Sequence, residues 1–397
     1  MIHLLTIVGA RPQIIKAAAF TRAINSWNCS RLFQNEQITQ TILHTGQHYD
    51  DNMSASFFSE LDIPAPAIHL GVGGLPASEQ VARMIMGIAD ELSRNKYDGV
   101  VLFGDTNSTL AGAIAAAHAN VPVFHIEAGL RSWNRTMPEE INRIVADSIS
   151  SVLFTPTSQA TQNLLAEGVP SKENAILPLP HVSDSSKDDA TPHRPYSVQV
   201  GDVMYDNALH FSRMAEKRSH ILEQLCLTDC HFVLATIHRP VNADNMAHLT
   251  SIIGALETIA KEQRIILPLH PRTKSHLSSQ QLGQLTANEH ISLIEPVSFL
   301  DMIMLEKHAS MILTDSGGVQ KEAFFYGKPC VILREETEWT EIVHAGAAIL
   351  AGADKLRIIE AYTLLKNKQV HPANLYGDGL ASEHIVKEIS RFFSSRS

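Results

Sequence analysis

Gly99-Val100-Val101-Leu102-Phe103-Gly104-Asp105-Thr106-Asn107-Ser108-Thr109 is an unbroken apolar run that stops abruptly in residues suited to begin a helix. A strand without polar alternation is buried on both faces, and such strands belong to parallel sheets covered by helices. The pattern repeats outward from this point. Ile2–Val8, 41–43, 121–126 and 152–154 read as further strands, with helical periodicity over Ala77–Arg94 and 108–119. It breaks at the polar, Pro-containing stretch 181–195 and resumes with Phe232–Thr236, 265–268, Ile291–Ile294, 311–313 and 330–333. The expectation is an α/β protein of two Rossmann-like domains facing across a cleft. The domains are placed at 1–195 and 196–375, and a C-terminal helix at 376–397 fits packing on either, a return to the first among the choices.

Length and composition agree with two domains. The chain has 397 residues, where one core usually organises about 150. Its net charge of −10, without a basic run, argues against a nucleic-acid partner, whose phosphates need clustered Lys and Arg. Cys29, Cys226, Cys230 and Cys330 lack zinc-site spacing, so they read as reduced thiols, and no metal is expected. The amino-terminal residues show neither a basic start nor a small-residue cleavage site, and no apolar stretch reaches the ~20 residues that span a bilayer. A cytoplasmic protein with no membrane partner is expected.

In open parallel sheets, ligands bind beyond the carboxyl ends of the strands. After the first strand, Gly9-Ala10-Arg11-Pro12-Gln13 offers a tight turn, a helix start and, in Arg11, a planar donor fork for a phosphate. It is not a dinucleotide fingerprint, because no Gly-x-Gly-x-x-Gly follows any strand. Asp105 stands where either helix capping or catalysis explains it. Glu127, in His125-Ile126-Glu127-Ala128-Gly129-Leu130-Arg131, ends a buried strand, so it must be paired or carry a raised pKa. His125 and Arg131 are the nearby candidates for pairing.

Further on, Thr136-Met137-Pro138-Glu139-Glu140-Ile141-Asn142-Arg143 opens a helix. Consecutive helical residues point about 100° apart, so Glu139 and Glu140 cannot serve one site, and one of them is structural. Thr136 and Glu139 also have capping-box spacing. In the second half, His238 and Arg239, His270, and Asp315-Ser316-Gly317-Gly318 follow strands. Two glycines opening a helix suit a diphosphate. Glu322, one turn later, suits a ribose or is an ordinary exposed helix residue.

These motifs, with Thr337-Glu338-x-x-Glu341, resemble the non-hydrolysing UDP-N-acetylglucosamine 2-epimerase family over at least residues 9–346. The resemblance implies the two-domain GT-B type of glycosyltransferase-like fold, a UDP-sugar substrate, no cofactor and a homodimer. It implies that Asp105, Glu127 and Glu139 are the acid/base carboxylates, with His238 acting beside the diphosphate. It also favours Glu139 over Glu140. UDP and substrate would be held by Arg11, Ser316, Gly317, Gly318 and Glu322, the set being completed by Lys16, Arg131, Arg239, His270 and Arg334. The implied route eliminates UDP across C1–C2 to a glycal and adds it back with a proton on the opposite face. Gln13, Tyr49 and Trp339 depart from the simple UDP-GlcNAc enzymes and are more similar to relatives acting on UDP-2,3-diacetamido-2,3-dideoxyglucuronic acid. Alternatives are a plain UDP-GlcNAc epimerase or a glycosyltransferase on the same fold.

Overall fold

A computed structural model describes residues 1–30, 37–47, 64–172, 194–228, 230–371 and 374–394. Tyr49, and the polar stretch 181–195 apart from Arg194 and Pro195, lie outside the described residues. The chain forms two compact units, Met1–Asn207 with Asn374–Ser397, and Ala208–Ala373. The division falls inside the helix Val203–Arg218.

The first unit is built on seven strands: β1 (Ile2–Val8), β2 (Ile38–His44), β3 (Ile68–His69), β4 (Gly99–Phe103), β5 (Val123–Ile126), β6 (Val152–Thr155) and β7 (Tyr196–Gln199). They lie in the order β3-β2-β1-β4-β5-β6-β7, every pair parallel. The order reverses between β1 and β4. Leu5, Ile7, Val100 and Leu102 on the strands pack with Met84, Ile88, Ala111 and Ala115 from the helices Ala77–Arg94 and Asn107–His118. Each buried large aliphatic side chain stabilises by roughly 1.5–3 kcal/mol before entropy is counted.

The final helix, Ala381–Ser394, packs on the helix Arg11–Cys29 and sets Phe392 edge-on to Phe124 of β5, with ring centroids 5.2 Å apart. Asp206 anchors its start by accepting from the backbone N–H groups of Ala381 (3.0 Å) and Ser382 (2.7 Å). Burial pushes the Asp206 carboxyl up to about 6 in spite of those two donors.

The second unit has six strands: β8 (Phe232–Thr236), β9 (Arg264–Pro268), β10 (Ile291–Ile294), β11 (Met311–Thr314), β12 (Cys330–Ile332) and β13 (Ala348–Leu350). Their order is β10-β9-β8-β11-β12-β13, again all parallel, with the reversal between β8 and β11. Val233, Ala235, Ile265, Leu267, Leu313 and Val331 form its core with Leu249, Ile252, Leu256 and Ile259 of the helix Met246–Ile259. Among the described residues, no helix is long and apolar enough to cross a membrane.

Candidate active site

Where a parallel sheet reverses its strand order, neighbouring crossovers leave on opposite faces and the loops after the two strands part, leaving room for a ligand. In the first unit that place is the end of β1 beside the end of β4. Gly9, just beyond β1, admits no side chain, since a Cβ there would lie 2.0 Å from Ser108 Oγ and 2.2 Å from Thr45 Oγ1. Arg11 follows as an exposed residue at the helix start, with Pro12 in the first turn.

Gln13 is buried. It accepts from Gly9 N–H at 2.8 Å and donates to Phe103 O at 2.8 Å and Thr109 Oγ1 at 3.0 Å. Its amide therefore ties the end of β1 to the end of β4. All three of these hydrogen bonds go to the scaffold of the strand ends.

Asp105 is not a helix cap. Thr106 takes that role, accepting from Thr109 N–H at 3.3 Å. The Asp105 side chain, 32% exposed, is instead paired with Arg143. Burial, and then the Glu127 carboxylate, push its pKa up, while Arg143 and Lys16 pull down; the net direction is upward. Asn142 fixes the backbone of Asp105, donating to its carbonyl at 3.0 Å.

Glu127 has φ +69°, in the left-handed region, which costs a non-glycine residue roughly 1–2 kcal/mol. Strain of this kind persists where the surroundings hold it. The carboxylate is paired with Lys16, both side chains being about nine-tenths enclosed. The expected partners, His125 and Arg131, go elsewhere. His125 Nδ1 meets Asp147 Oδ1 and its Nε2 meets Gly104 O, each at 2.7 Å. Arg131 donates to Asp147 Oδ2 (2.7 Å) and to both oxygens of Glu167 (2.7 and 2.6 Å), with its side chain fully enclosed. The donors of Arg131 are spent inside the unit, on Asp147, Glu167 and the Leu130 carbonyl.

Burial would raise the Asp147 carboxyl, but His125 and Arg131 hold it below the usual range. Neither Asp147 nor Arg143 stood out as a site residue in the sequence. The available signal was their spacing of four on the buried face of the helix Pro138–Ile149.

The same helix separates its two adjacent glutamates as its geometry requires. Glu140 is fully buried and accepts from Ser132 N–H, Ser132 Oγ and Trp133 N–H, each at 2.9 Å. It also lies 3.2 Å from Arg143. Glu139 is exposed. The capping box between Thr136 and Glu139 does not form: Met137 is the N-cap, without a side-chain bond, and Thr136 Oγ1 donates to Asn134 Oδ1 at 2.6 Å. The competing structural explanation for Glu139 is thereby removed.

In the second unit the reversal brings the loop after β8 beside the loop after β11. Asp315, fully buried, accepts from the N–H groups of His238 and Arg239 at 3.1 Å and from Asn242 Nδ2 at 3.1 Å. Its carboxyl is held low; burial opposes this, and the His238 hydrogen bond and charge outweigh it. Asp315 thus shapes the loop that carries His238, whose ring is 39% exposed and 5.8 Å from that of His270. His270 accepts from Arg272 N–H at 3.1 Å, and burial, then His238 and Arg272, lower its pKa.

Ser316 caps the helix Gly317–Phe325, leaving the N–H groups of Gly317 and Gly318 at its positive end. A Cβ on Gly317 would sit 3.6 Å from Arg239 Nη2, so a guanidinium stands beside this turn. Trp339 is buried. Its Nε1 donates to Gly317 O at 3.0 Å, and Lys321 Nζ lies 4.0 Å from its ring centroid. Trp339 therefore supports the glycine turn from behind. Arg334 makes two 2.9 Å bonds to Glu338. Glu322 is not an ordinary exposed residue: it is partly buried, and burial pushes it up to about 7 against the pull of Lys321.

Comparison with known proteins matches residues 30–390 to the family model described as UDP-N-acetylglucosamine 2-epimerase. UDP-2,3-diacetamido-2,3-dideoxy-D-glucuronate 2-epimerase of Pseudomonas aeruginosa is 42% identical over 98% of this chain and 99% of its own length. UDP-N-acetylglucosamine 2-epimerase of Methanocaldococcus jannaschii is 40% identical over 96% and 97%. A crystal structure of the Methanocaldococcus jannaschii UDP-GlcNAc 2-epimerase, in complex with UDP-GlcNAc and UDP, superposes with a TM-score of 0.78 over 98% of this chain and 100% of that one, at 38% identity.

Proposed function

The chain belongs to the UDP-N-acetylglucosamine 2-epimerase family, and from that premise we propose that it inverts C2 of a UDP-linked, N-acetylated sugar without hydrolysis. The observation that carries the reading is the pair Asp105 and Glu127. Two carboxylates from neighbouring strand ends feel each other's charge, yet each has its own cation, Arg143 for Asp105 and Lys16 for Glu127. Carboxylates in such unlike surroundings divide acid and base work between them.

The reaction needs that division. C2–H is not next to a carbonyl, so its proton leaves only if UDP leaves too. A carboxylate takes the proton, the C2–H electrons become the C1=C2 double bond, and the C1–O bond breaks with its electrons going to UDP. UDP then adds back to C1 while a second acid delivers a proton to the opposite face of C2. Each positioned proton transfer is worth about 10²–10⁴-fold. Asp105, pushed up, is assigned the proton-carrying role and Glu127 the base, with Glu139 as the third carboxylate. His238, Arg239, Ser316, Gly317 and Gly318 would hold the diphosphate, and Glu322 the ribose.

The substrate we favour is UDP-2,3-diacetamido-2,3-dideoxyglucuronic acid, converted to its manno epimer for a surface polysaccharide by a cytoplasmic homodimer. The relative from Pseudomonas aeruginosa supports this choice. Incubation with UDP-sugar in deuterated water, with no acceptor present, is expected to place deuterium at C2. A product without it would sink the elimination route, and UDP accumulating in phosphorus NMR would indicate hydrolysis instead. Turnover of UDP-GlcNAc exceeding that of the diacetamido uronate would reassign the substrate.

A further inference from the structure

His125 is fully buried in β5, and each of its ring nitrogens faces an oxygen at 2.7 Å, Nδ1 that of Asp147 Oδ1 and Nε2 that of the Gly104 carbonyl. A carbonyl oxygen accepts hydrogen bonds and donates none, so Nε2 carries hydrogen. Asp147 is an acceptor too. Its Oδ2 takes the N–H of Gly129 at 3.1 Å and the Arg131 guanidinium at 2.7 Å, donors that favour the ionised carboxylate. Nδ1 therefore carries hydrogen as well. A ring with a single hydrogen would press a lone pair against one of the two oxygens, where no water can intervene. The charges match: His125 and Arg131 face Asp147, and Arg131 also faces Glu167.

What this ring joins is the group of candidate carboxylates. The Gly104 carbonyl belongs to the planar peptide that carries the Asp105 nitrogen, so fixing it fixes the direction in which Asp105 leaves β4. Gly104 N–H is bound to Ile126 O at 3.0 Å, and β5 thus grips both backbone groups of Gly104. On the far side of Asp105, Asn142 donates to its carbonyl at 3.0 Å and Arg143 pairs with its carboxylate. Asn142, Arg143 and Asp147 stand on one helix, Pro138–Ile149, whose first turn holds Glu139. Glu127 lies two residues beyond His125. A closed circuit runs from the end of β4 through His125 and Asp147 to that helix, and back through Asn142 and Arg143 to Asp105.

We propose that His125 is a positioning residue, held with hydrogen on both ring nitrogens, that sets the spacing of Asp105, Glu127 and Glu139 by gripping the Gly104 carbonyl with one nitrogen and Asp147 with the other. This rests on the reading of those three as the acid/base carboxylates. Proton transfer is steeply sensitive to placement: a displacement of about 1 Å costs on the order of 10²-fold in rate.

The test has a spectroscopic and a kinetic arm, both on the full chain. With 15N-labelled histidine at about pH 8, where an ordinary exposed histidine has lost one hydrogen, the wild-type ring of His125 should show two N–H groups in the 15N spectrum, its signals being identified by their loss in His125→Gln. One bare ring nitrogen overturns the proposal, and this arm needs no active variant. The kinetic arm separates the two grips. The short amide of His125→Asn reaches where Nδ1 was and leaves the Gly104 carbonyl unheld; the longer amide of His125→Gln reaches where Nε2 was and keeps that bond. C2 deuterium exchange should fall about 10²-fold in His125→Asn and about tenfold in His125→Gln, in kcat, with KM and UDP affinity within about threefold of wild type. A role in stability alone predicts losses that follow the melting temperatures of the two variants. Equal losses, or the greater loss in His125→Gln, overturn the positioning role. If wild type places no deuterium at C2, the epimerase reading itself fails; if wild type exchanges and His125→Asn matches it, only the positioning role fails.

Discussion

Lys16 and Glu127 form an ion pair that reaches across the end of β4, joining the helix after β1 to the end of β5. A Cβ on Gly104 would lie 3.4 Å from Lys16 Nζ, which places the cation directly over the residue preceding Asp105. Three strand ends thus contribute to one electrostatic group, and the variants below take it apart.

Glu127→Gln keeps size and removes proton transfer. We expect UDP affinity within about threefold of wild type and a loss of at least about 10²-fold in C2 exchange, followed by deuterium incorporation. Weakened UDP with intact exchange would move Glu127 to the binding set.

Arg143 is the counter-charge that draws Asp105 down, so Arg143→Gln should let Asp105 rise further. The limb of the pH–rate profile that reports Asp105 should move to higher pH, with kcat lower by about tenfold or more. An unshifted profile would detach Asp105 from that limb.

The adjacent glutamates should separate by stability. Removing the buried Glu140 carboxylate strands the donors of Ser132 and Trp133, and Glu140→Ala should cost about 3 kcal/mol. In thermal melts this is a fall of roughly 6–12 °C. Glu139→Ala, at an exposed position, should change stability by no more than about 0.5 kcal/mol while reducing activity. A large loss of stability in Glu139→Ala would restore a structural role for it.

Asp206 supplies a pH test with a defined sign. Its native carboxyl, near 6, holds a proton more tightly than the unfolded one at 3.8. That contribution is complete below about pH 4 and is lost as pH rises through about 6. Wild type should therefore gain on the non-titrating Asp206→Asn at pH 4 relative to pH 7, read as the difference in Tm. A difference independent of pH would remove Asp206 as the titrating group.

The central strands were legible because burial on both faces writes an unbroken apolar run: Ile2–Val8, Gly99–Phe103, Phe232–Thr236 and Ile291–Ile294 were read with their observed bounds. β3 and β7, at the edges of their sheet, were not foreseen, being two residues long and Tyr-Ser-Val-Gln respectively. Edge strands need no second apolar face. β13, three residues at the other edge, was missed for the same reason. Strand-end placement also located Asp105, Glu127, His238 and Ser316. What spacing could not supply was pairing across the fold: Arg131 and His125 meet Asp147, and Gln13 and Trp339 turn inward to backbone groups.

The helix Ala381–Ser394 belongs to the same unit as Met1–Asn207, so the first unit is closed by residues that follow the second unit in the chain. During synthesis Ala208–Ala373 is complete and contiguous while Phe124 and the helix Arg11–Cys29 still await their cover. The nascent chain carries that apolar face until Ala381–Ser394 emerges, and aggregation is the competing outcome in the interval. A premature stop just after Tyr376 would leave every acid/base candidate translated and still yield a first unit that cannot close.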